Sequence, residues 1–372
     1  MAWFRRAERR SFEPAFLPTT ERYDGPFNEG GERVDHERAL RHNAVWASVR
    51  LLSETVATLP LDVYDAGTGR QVDLPELLRT PAAGMGLPDW LGQVMVSLLL
   101  RGNAYGIVTG RTGPALGPSQ VEIVSPDRMQ VTTTTDGRIE YRLGGQVIDR
   151  GDVWHLRGMQ SPGCHTGLSP VEYARQTIGL GLAVEHYGSR WFSDNGMPSG
   201  VISTTADLSL DEVTRLQSSW YASRARTKVA VMTGGGTFTP LALAPDESQF
   251  VESRRLSVSE VARIFGVPPE MIGGDSGGSL TYSNVEQRSL DFLTYSVGPW
   301  LARVEAAVNL LIPGYYCKFN TGALIRTDLK TRYEAHAVAL AAGFLTVDEV
   351  RELEDRQPLP RTLTPVRPEA VA

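Results

Sequence analysis

The chain has little cysteine, no long apolar run and no excess of positive charge, and each shortage removes a class of function. Cys164 and Cys317 are the two cysteines among 372 residues, far apart and with neither a CxxC pair nor a histidine cluster beside them. That excludes a disulfide framework and a cysteine-rich zinc site, and it suits a reducing cytoplasm. The longest apolar stretches, such as 94–100, fall well short of the ~18 to 20 residues that span a bilayer, so no membrane partner is expected. The opening Met1-Ala2-Trp3-Phe4-Arg5-Arg6 is basic but continues into Glu8, Arg9 and Arg10 in place of an apolar segment, which is not the pattern of a secretory signal. Lysine and arginine number 37 against 43 aspartate and glutamate, a net charge of −6. A global field that grips nucleic acid through its phosphates is therefore missing.

Catalytic signatures are missing too. The six histidines (36, 42, 155, 165, 186 and 336) show no HxxxH or HExxH spacing that would set two imidazoles on one helical face, so no metal site is expected. No serine lies in a GxSxG turn, and Cys164, although beside His165, has nothing to orient that imidazole as a base. The glycine-rich segment 273–279 lacks the lysine of a phosphate-binding loop and carries Asp275, which repels an anion. The expectation is no catalytic residue and no cofactor.

What is present is an ordinary globular composition, 41% hydrophobic and 22% charged, in a chain long enough for two to three domains. Residues 1–38 read as a flexible arm and the proline-rich 358–372 as a disordered tail. Between them the pattern predicts an α+β first part. It has a helix from Asn43 with Trp46, Val49, Leu52, Val56 and Leu59 inward, a strand over 61–64, a helix over 89–101, and short strands at 104–108, 121–124, 129–135, 139–143 and 153–156.

Ser169-Pro170-Val171-Glu172 opens a long helix running to about Asp194. A small α/β unit follows at 197–244, and a second long helix runs from Asp246 to Gly266. Ser283-Asn284-Val285-Glu286 caps a further helix, predicted to kink at Gly298-Pro299. A strand at 315–320 and two helices, 328–342 and 346–355, complete the order.

Residues 257–267 match the first helix and turn of a DNA-binding helix-turn-helix, giving an alternative reading for 257–272. Against it, Pro268-Pro269-Glu270 and the glycine-rich loop stand where a basic recognition helix belongs. Arg215, Arg224, Arg226 and Lys228 form a local basic cluster in the α/β unit, read equally well as a solvated face or as a docking surface for an acidic partner.

In this order, several motifs resemble the HK97-type portal (connector) proteins of tailed double-stranded-DNA bacteriophages. They are Arg101-Gly102-Asn103-Ala104-Tyr105, Asp152-Val153-Trp154-His155-Leu156-Arg157-Gly158, Gly167-Leu168-Ser169-Pro170-Val171-Glu172, Pro198-Ser199-Gly200, Gln249-Phe250 with Glu252 and Arg254, Ile264-Phe265-Gly266-Val267-Pro268-Pro269, Tyr282 with Asn284, Glu286 and Gln287, and Thr327-Asp328-Leu329-Lys330-Thr331-Arg332. The resemblance spans about 43–357.

It implies a structural ring of about twelve subunits at one vertex of the head, located in the virion and assembled in the bacterial host cytoplasm. The ring would be the channel for packaging and ejection of double-stranded DNA, with the large terminase subunit, the major capsid protein and the head-tail adaptor as partners. It also implies a wing (39–166 with 313–325), stem helices (167–196 and 245–267), a clip (197–244), a tunnel loop (268–283), a kinked tunnel helix (284–312) and a crown (326–357). On this reading Met271, Gly273, Gly274, Asp275, Ser276, Gly277, Gly278 and Ser279 face the DNA, and the basic cluster 215–228 docks terminase or adaptor.

Overall fold

The computed structural model describes residue 28 and residues 31–359, except 114–116, 135, 195–200, 204–208, 216–217, 219–236, 240–246, 275–281, 324–328 and 355. Packing begins before residue 39, where the arm was expected to end. Val34 is buried, and the Asp35 carboxylate accepts from the Arg38 amide to start the short helix α1, His36–Ala39.

Helix α2, Asn43–Thr58, buries Val45, Val49, Leu52 and Val56, and it stops where Leu59 turns extended ahead of Pro60. Two details differ from the sequence expectation. His42 rather than Asn43 holds the cap position, and Trp46 is 53% exposed. Trp46 lies one residue, about 100° of rotation, from the Val45–Val49 line, so the apolar stripe is one position narrower than its spacing suggested.

Strands β1 (Leu61–Asp65) and β2 (Gln71–Val72) and the short helix α3 (Glu76–Arg79) lead to α4, Leu87–Arg101. Helix α4 buries Trp90, Leu91, Val94, Met95 and Leu98 and ends at Gly102 in the left-handed region. Then come β3 (Asn103–Thr112), β4 (Gly117–Val124), β5 (Met129–Thr133), β6 (Ile139–Leu143), β7 (Gln146–Ile148) and β8 (Val153–Arg157). β3 is the centre of one antiparallel sheet, between β4 and β8, while β5, β6 and β7 form a separate meander. The expected strands are found within four residues at each end; β2, α3 and β7, each two to four residues long, are too short to carry a periodic signal.

Two tryptophans tie the layers together. Their rings lie 5.1 Å apart, and their indole N–H groups donate across the core, Trp90 to the Val121 carbonyl and Trp154 to the Ala307 carbonyl, each at 2.8 Å. Tyr105, Met129, Tyr141 and Val153 make a second, smaller core under the meander.

The expected long helix of 170–194 is interrupted at Ala174, giving α5 (Pro170–Tyr173) and α6 (Arg175–Asp194). β9 (Val201–Ser203) pairs antiparallel with β10 (Thr237–Thr239), and residues 210–215 are helical with the Glu212 carboxylate accepting from the Ser209 amide. The second long helix, α7, is Glu247–Phe265. It is one continuous helix of 19 residues, followed by Gly266 at φ +67 and a four-residue 3-10 turn, Pro269–Ile272. The helix-turn-helix alternative fails here. Residues 257–265 are the end of a long helix, and among the described residues no helix able to enter a groove follows the turn before 282.

Helix α8 spans Tyr282–Asp291, so Ser283 lies inside it and does not cap it. Phe292–Val297 is π-helical, with the Gly298 amide bonded to the Leu293 carbonyl five residues back, and α9 is Gly298–Asn309 with Pro299 in its first turn. Proline lacks the N–H that a continuous α ladder requires, and the wider turn upstream places it where that donor is dispensable. β11 (Tyr315–Phe319) returns to β1 in the register Leu61↔Phe319, with β1 flanked on its other side by β2. The outward amides of β11 are capped by α9: Cys317 donates to Asn309 Oδ1 and Phe319 to Glu305 Oε1, each at 2.8 Å. The chain closes with α10, Leu329–Ala342, and α11, Val347–Leu353, the latter opened by a Thr346/Glu349 capping box.

Candidate functional site at the root of the long helices

Three of the motifs singled out in the sequence meet at one point, where α5 and α6 leave the body. Gly102 ends α4 at φ +69, and a Cβ there would stand 2.0 Å from the Leu168 carbonyl oxygen. A Cβ on Gly167 would stand 2.0 Å from the Gly102 carbonyl oxygen, to which the Gly158 amide donates at 2.8 Å. Backbone lies on backbone here, and only glycine permits it.

Asn103 stitches the crossing. Its Nδ2 donates to the carbonyls of Arg101 and Gly167, both at 2.9 Å, while its Oδ1 accepts from the Gly167 amide at 2.7 Å. That assignment fixes the neighbouring imidazole. His155 Nε2, 3.0 Å from Asn103 Oδ1, must donate, so its Nδ1 accepts from the Tyr141 hydroxyl at 3.1 Å. Arg157 donates to the same hydroxyl at 3.2 Å and to the His165 carbonyl at 2.7 Å. Burial first, then the charges of Arg157 and Arg150, press the His155 pKa down to about 3. Burial also raises the Tyr105 hydroxyl, stacked 4.3 Å from that ring, above its usual value.

One residue further on, Ser169 receives the Glu172 amide and donates to the Leu100 carbonyl at 2.8 Å. Its proton is thereby committed, so His36 Nε2, 3.3 Å away, is the donor between those two side chains. Burial, and then Arg101, lower the His36 pKa. Arg101 grips the Asp127 carboxylate with Nε and Nη2, and that bond holds the Asp127 pKa below the carboxylate range.

The second long helix roots close by. Val261, Phe265 and Val267 join the same core as Ile178 and Leu182 of α6. His42, 3% exposed, sits between the two helices with Nε2 3.2 Å from Ser257 Oγ; its Nδ1 is buried with no partner among the described residues. Gly181 makes the room, since a Cβ there would meet His42 Nε2 at 2.2 Å. Burial lowers the His42 pKa, with Glu185 opposing. Arg288 in α8 pairs with Glu270 at 2.9 Å, bridging the turn after α7 to the next helix.

The sequence-derived candidates are spread unevenly across this frame. Met271 is half-buried, Gly273 is exposed at φ +86, and a Cβ on Gly274 would collide with Pro269. Asp275, Ser276, Gly277, Gly278 and Ser279 lie outside the described residues, as do Arg224, Arg226 and Lys228. Arg215 is exposed on the helical stretch 210–215. Sequence reading missed Asn103 as a polar hub, the tautomer of His155, and the His42–Gly181–Ser257 contact, because each joins segments 52 to 215 positions apart. The polar groups of this root are bonded to backbone and to one another, so the arrangement holds segments in place.

A family model described as phage portal protein matches residues 43–355. The chain belongs to the phage portal proteins. It is 36% identical to the probable portal protein of Streptomyces phage phiC31, covering 90% of this chain and 79% of that one. It is 27% identical to the portal protein of Enterobacteria phage HK97, covering 89% and 82% respectively. Among solved structures, the fold is that of an HK97-family phage portal protein from Corynebacterium diphtheriae, with a TM-score of 0.60 at 20% identity and 82% and 98% of the two chains covered. A chain from the neck of a native gene transfer agent particle, computed with C12 symmetry, gives 0.60 at 26% identity, with 87% and 92% covered. The sequence-based reading of the chain as an α+β portal protein stands.

Proposed function

We propose that this portal protein assembles into a ring of about twelve subunits at a single vertex of a phage or phage-like head, where it lines the route by which double-stranded DNA enters and leaves. The observation that carries the ring is the likeness, at a TM-score of 0.60, to a chain in a particle neck computed with C12 symmetry. Portal proteins are structural, and this chain works as a subunit of the particle. The large terminase subunit, the head-tail adaptor and the major capsid protein are its partners by family analogy, and assembly takes place in the host cytoplasm.

By the same family analogy the chain divides into parts. The wing is 39–166 with 313–325, the stem 167–196 and 245–267, the clip 197–244, the tunnel loop 268–283, the kinked tunnel helix 284–312 and the crown 326–357. Physical chemistry supports a conduit. At −6 per chain, about twelve copies carry roughly −72, which repels phosphate and lets DNA slide. The loop beyond Met271 and Gly273 meets the duplex through backbone and serine hydroxyls, and the cluster around Arg215 docks the motor and then the adaptor.

The native mass of the assembled species, with microscopy of the largest, tests the ring. Rings near twelve subunits with a central hole support it, and a stable dimer that shifts duplex DNA overturns it. Deleting 271–279 tests the loop, and unchanged retention of packaged DNA would remove its assigned role.

A further inference from the structure

An open groove of about 680 Å³ runs between α2, α4 and the end of β4. Ala57, Val96, Ile123 and Pro126 contribute apolar walls, and Gly92, facing Ala57 Cβ, widens the floor. Glu54 on α2 and Asp89 on α4 are exposed at its rim, and neither carboxylate has an ion-pair or hydrogen-bond partner among the described residues. Arg101, the cation at one end, is already committed to Asp127. The groove thus offers apolar walls and two uncompensated negative charges.

The chain supplies a segment of matching chemistry. Residues 3–12, Trp-Phe-Arg-Arg-Ala-Glu-Arg-Arg-Ser-Phe, carry Arg5, Arg6, Arg9 and Arg10 against Glu8 alone, with Trp3, Phe4 and Phe12 among them. The described chain passes near the groove's Arg101 end at His36, whose Nε2 lies 3.3 Å from the Ser169 hydroxyl that bonds the Leu100 carbonyl, and Asn28 packs against Gly179 in α6. The intervening residues 13–27 reach roughly 50 Å when extended, at ~3.3 Å each, ample to bring the segment back along the body. We infer that segment 3–12 of the N-terminal arm docks in this groove, with arginines on Glu54 and Asp89 and aromatic rings on the apolar walls. The inference goes beyond the portal role and holds whichever copy in an assembly supplies the arm.

A photo-reactive benzoylphenylalanine in place of Phe4 in the full-length protein reads the contact. Crosslinks should fall on 53–58, 88–97 or 123–126. Exposed ion pairs contribute little individually, so reversing both rim charges (Glu54→Lys with Asp89→Lys) should cut the yield about tenfold, by loss of attraction together with new repulsion. Changing Arg5, Arg6, Arg9 and Arg10 to Glu in that background should restore it, a rescue that a folding defect would not give. Crosslinks concentrated on packaged DNA or on another surface of a neighbouring copy, or a yield indifferent to the rim charges, would overturn the assignment.

Discussion

The root of the long helices and the C-terminal pair α10–α11 are built on opposite terms. At the root, glycine backbones touch, one asparagine makes four hydrogen bonds, and Leu98, Leu99, Ile178, Val261 and Val304 are at most 1% exposed. In α10–α11, Val338, Phe344 and Leu353 are each more than half exposed, and Ala339 is the buried apolar residue among those described there. What joins that pair is a polar clasp, Glu354 bonded to Arg332 at 2.8 Å and to His336 at 3.1 Å. The root is complete within one chain, whereas the C-terminal helices have apolar surface still to bury. Close packing is encoded where the long helices leave the body, and the C-terminal pair keeps exposed apolar surface of the kind that marks interaction sites.

The comparison is broken most severely at Gly102. Gly102→Ala adds both a left-handed backbone penalty and a collision with Leu168, together roughly 3 to 5 kcal/mol, to be read as lost thermal stability or failure to fold. Asn103→Ala removes its partners at one stroke and strands buried groups, for about 3 kcal/mol in urea unfolding.

Acid acts on the same place. The His155 pKa near 3 lies below the ordinary histidine value of 6.5, so the unfolded chain binds the extra proton between those limits. Stability from this residue is therefore full above pH 6.5 and falls toward pH 3, by up to about 1.4 kcal/mol per unit. His36 and His42, lowered in the same direction by burial, add to the slope, and His155→Gln should remove one proton's share of it in unfolding measured across pH.

In the C-terminal pair the effects shrink. Glu354→Ala should cost about 1 kcal/mol and show as faster hydrogen exchange confined to α10 and α11. Smallest of all, Phe344→Ser should leave the unfolding of the isolated chain within about 0.5 kcal/mol of the parent. A loss above 1 kcal/mol there would show that α10–α11 packs on the body after all, and the contrast would collapse.

Local rules carried much of the fold. The Ser169 cap with Pro170 and the end of α7 at Gly266 stand where their chemistry placed them, because each depends on residues within four positions. Where the reading slipped, another part of the chain had intervened. Trp46 is apolar and suitably spaced, yet the face that α2 buries is the Val45–Val49–Leu52–Val56 line, and Trp46 stands beside it half exposed. Ser283 has the pattern of a cap, but the helix already runs through it from Tyr282. Pro299 predicted a disturbance, and the structure meets it with a π-helical turn six residues long, a solution that propensity does not specify.

The site was legible as motifs and illegible as a mechanism of holding. By itself the sequence determined the order of helices and strands and the acidic balance, since these follow from periodicity and charge count. Only the tertiary structure decided which atoms those residues serve. Asn103 and Gly167 stand 64 positions apart, as do the ends of their two mutual hydrogen bonds, and His42 and Ser257 stand 215 apart. Contacts of that separation are set by how packed layers come to rest on one another, and no local preference along the chain encodes them.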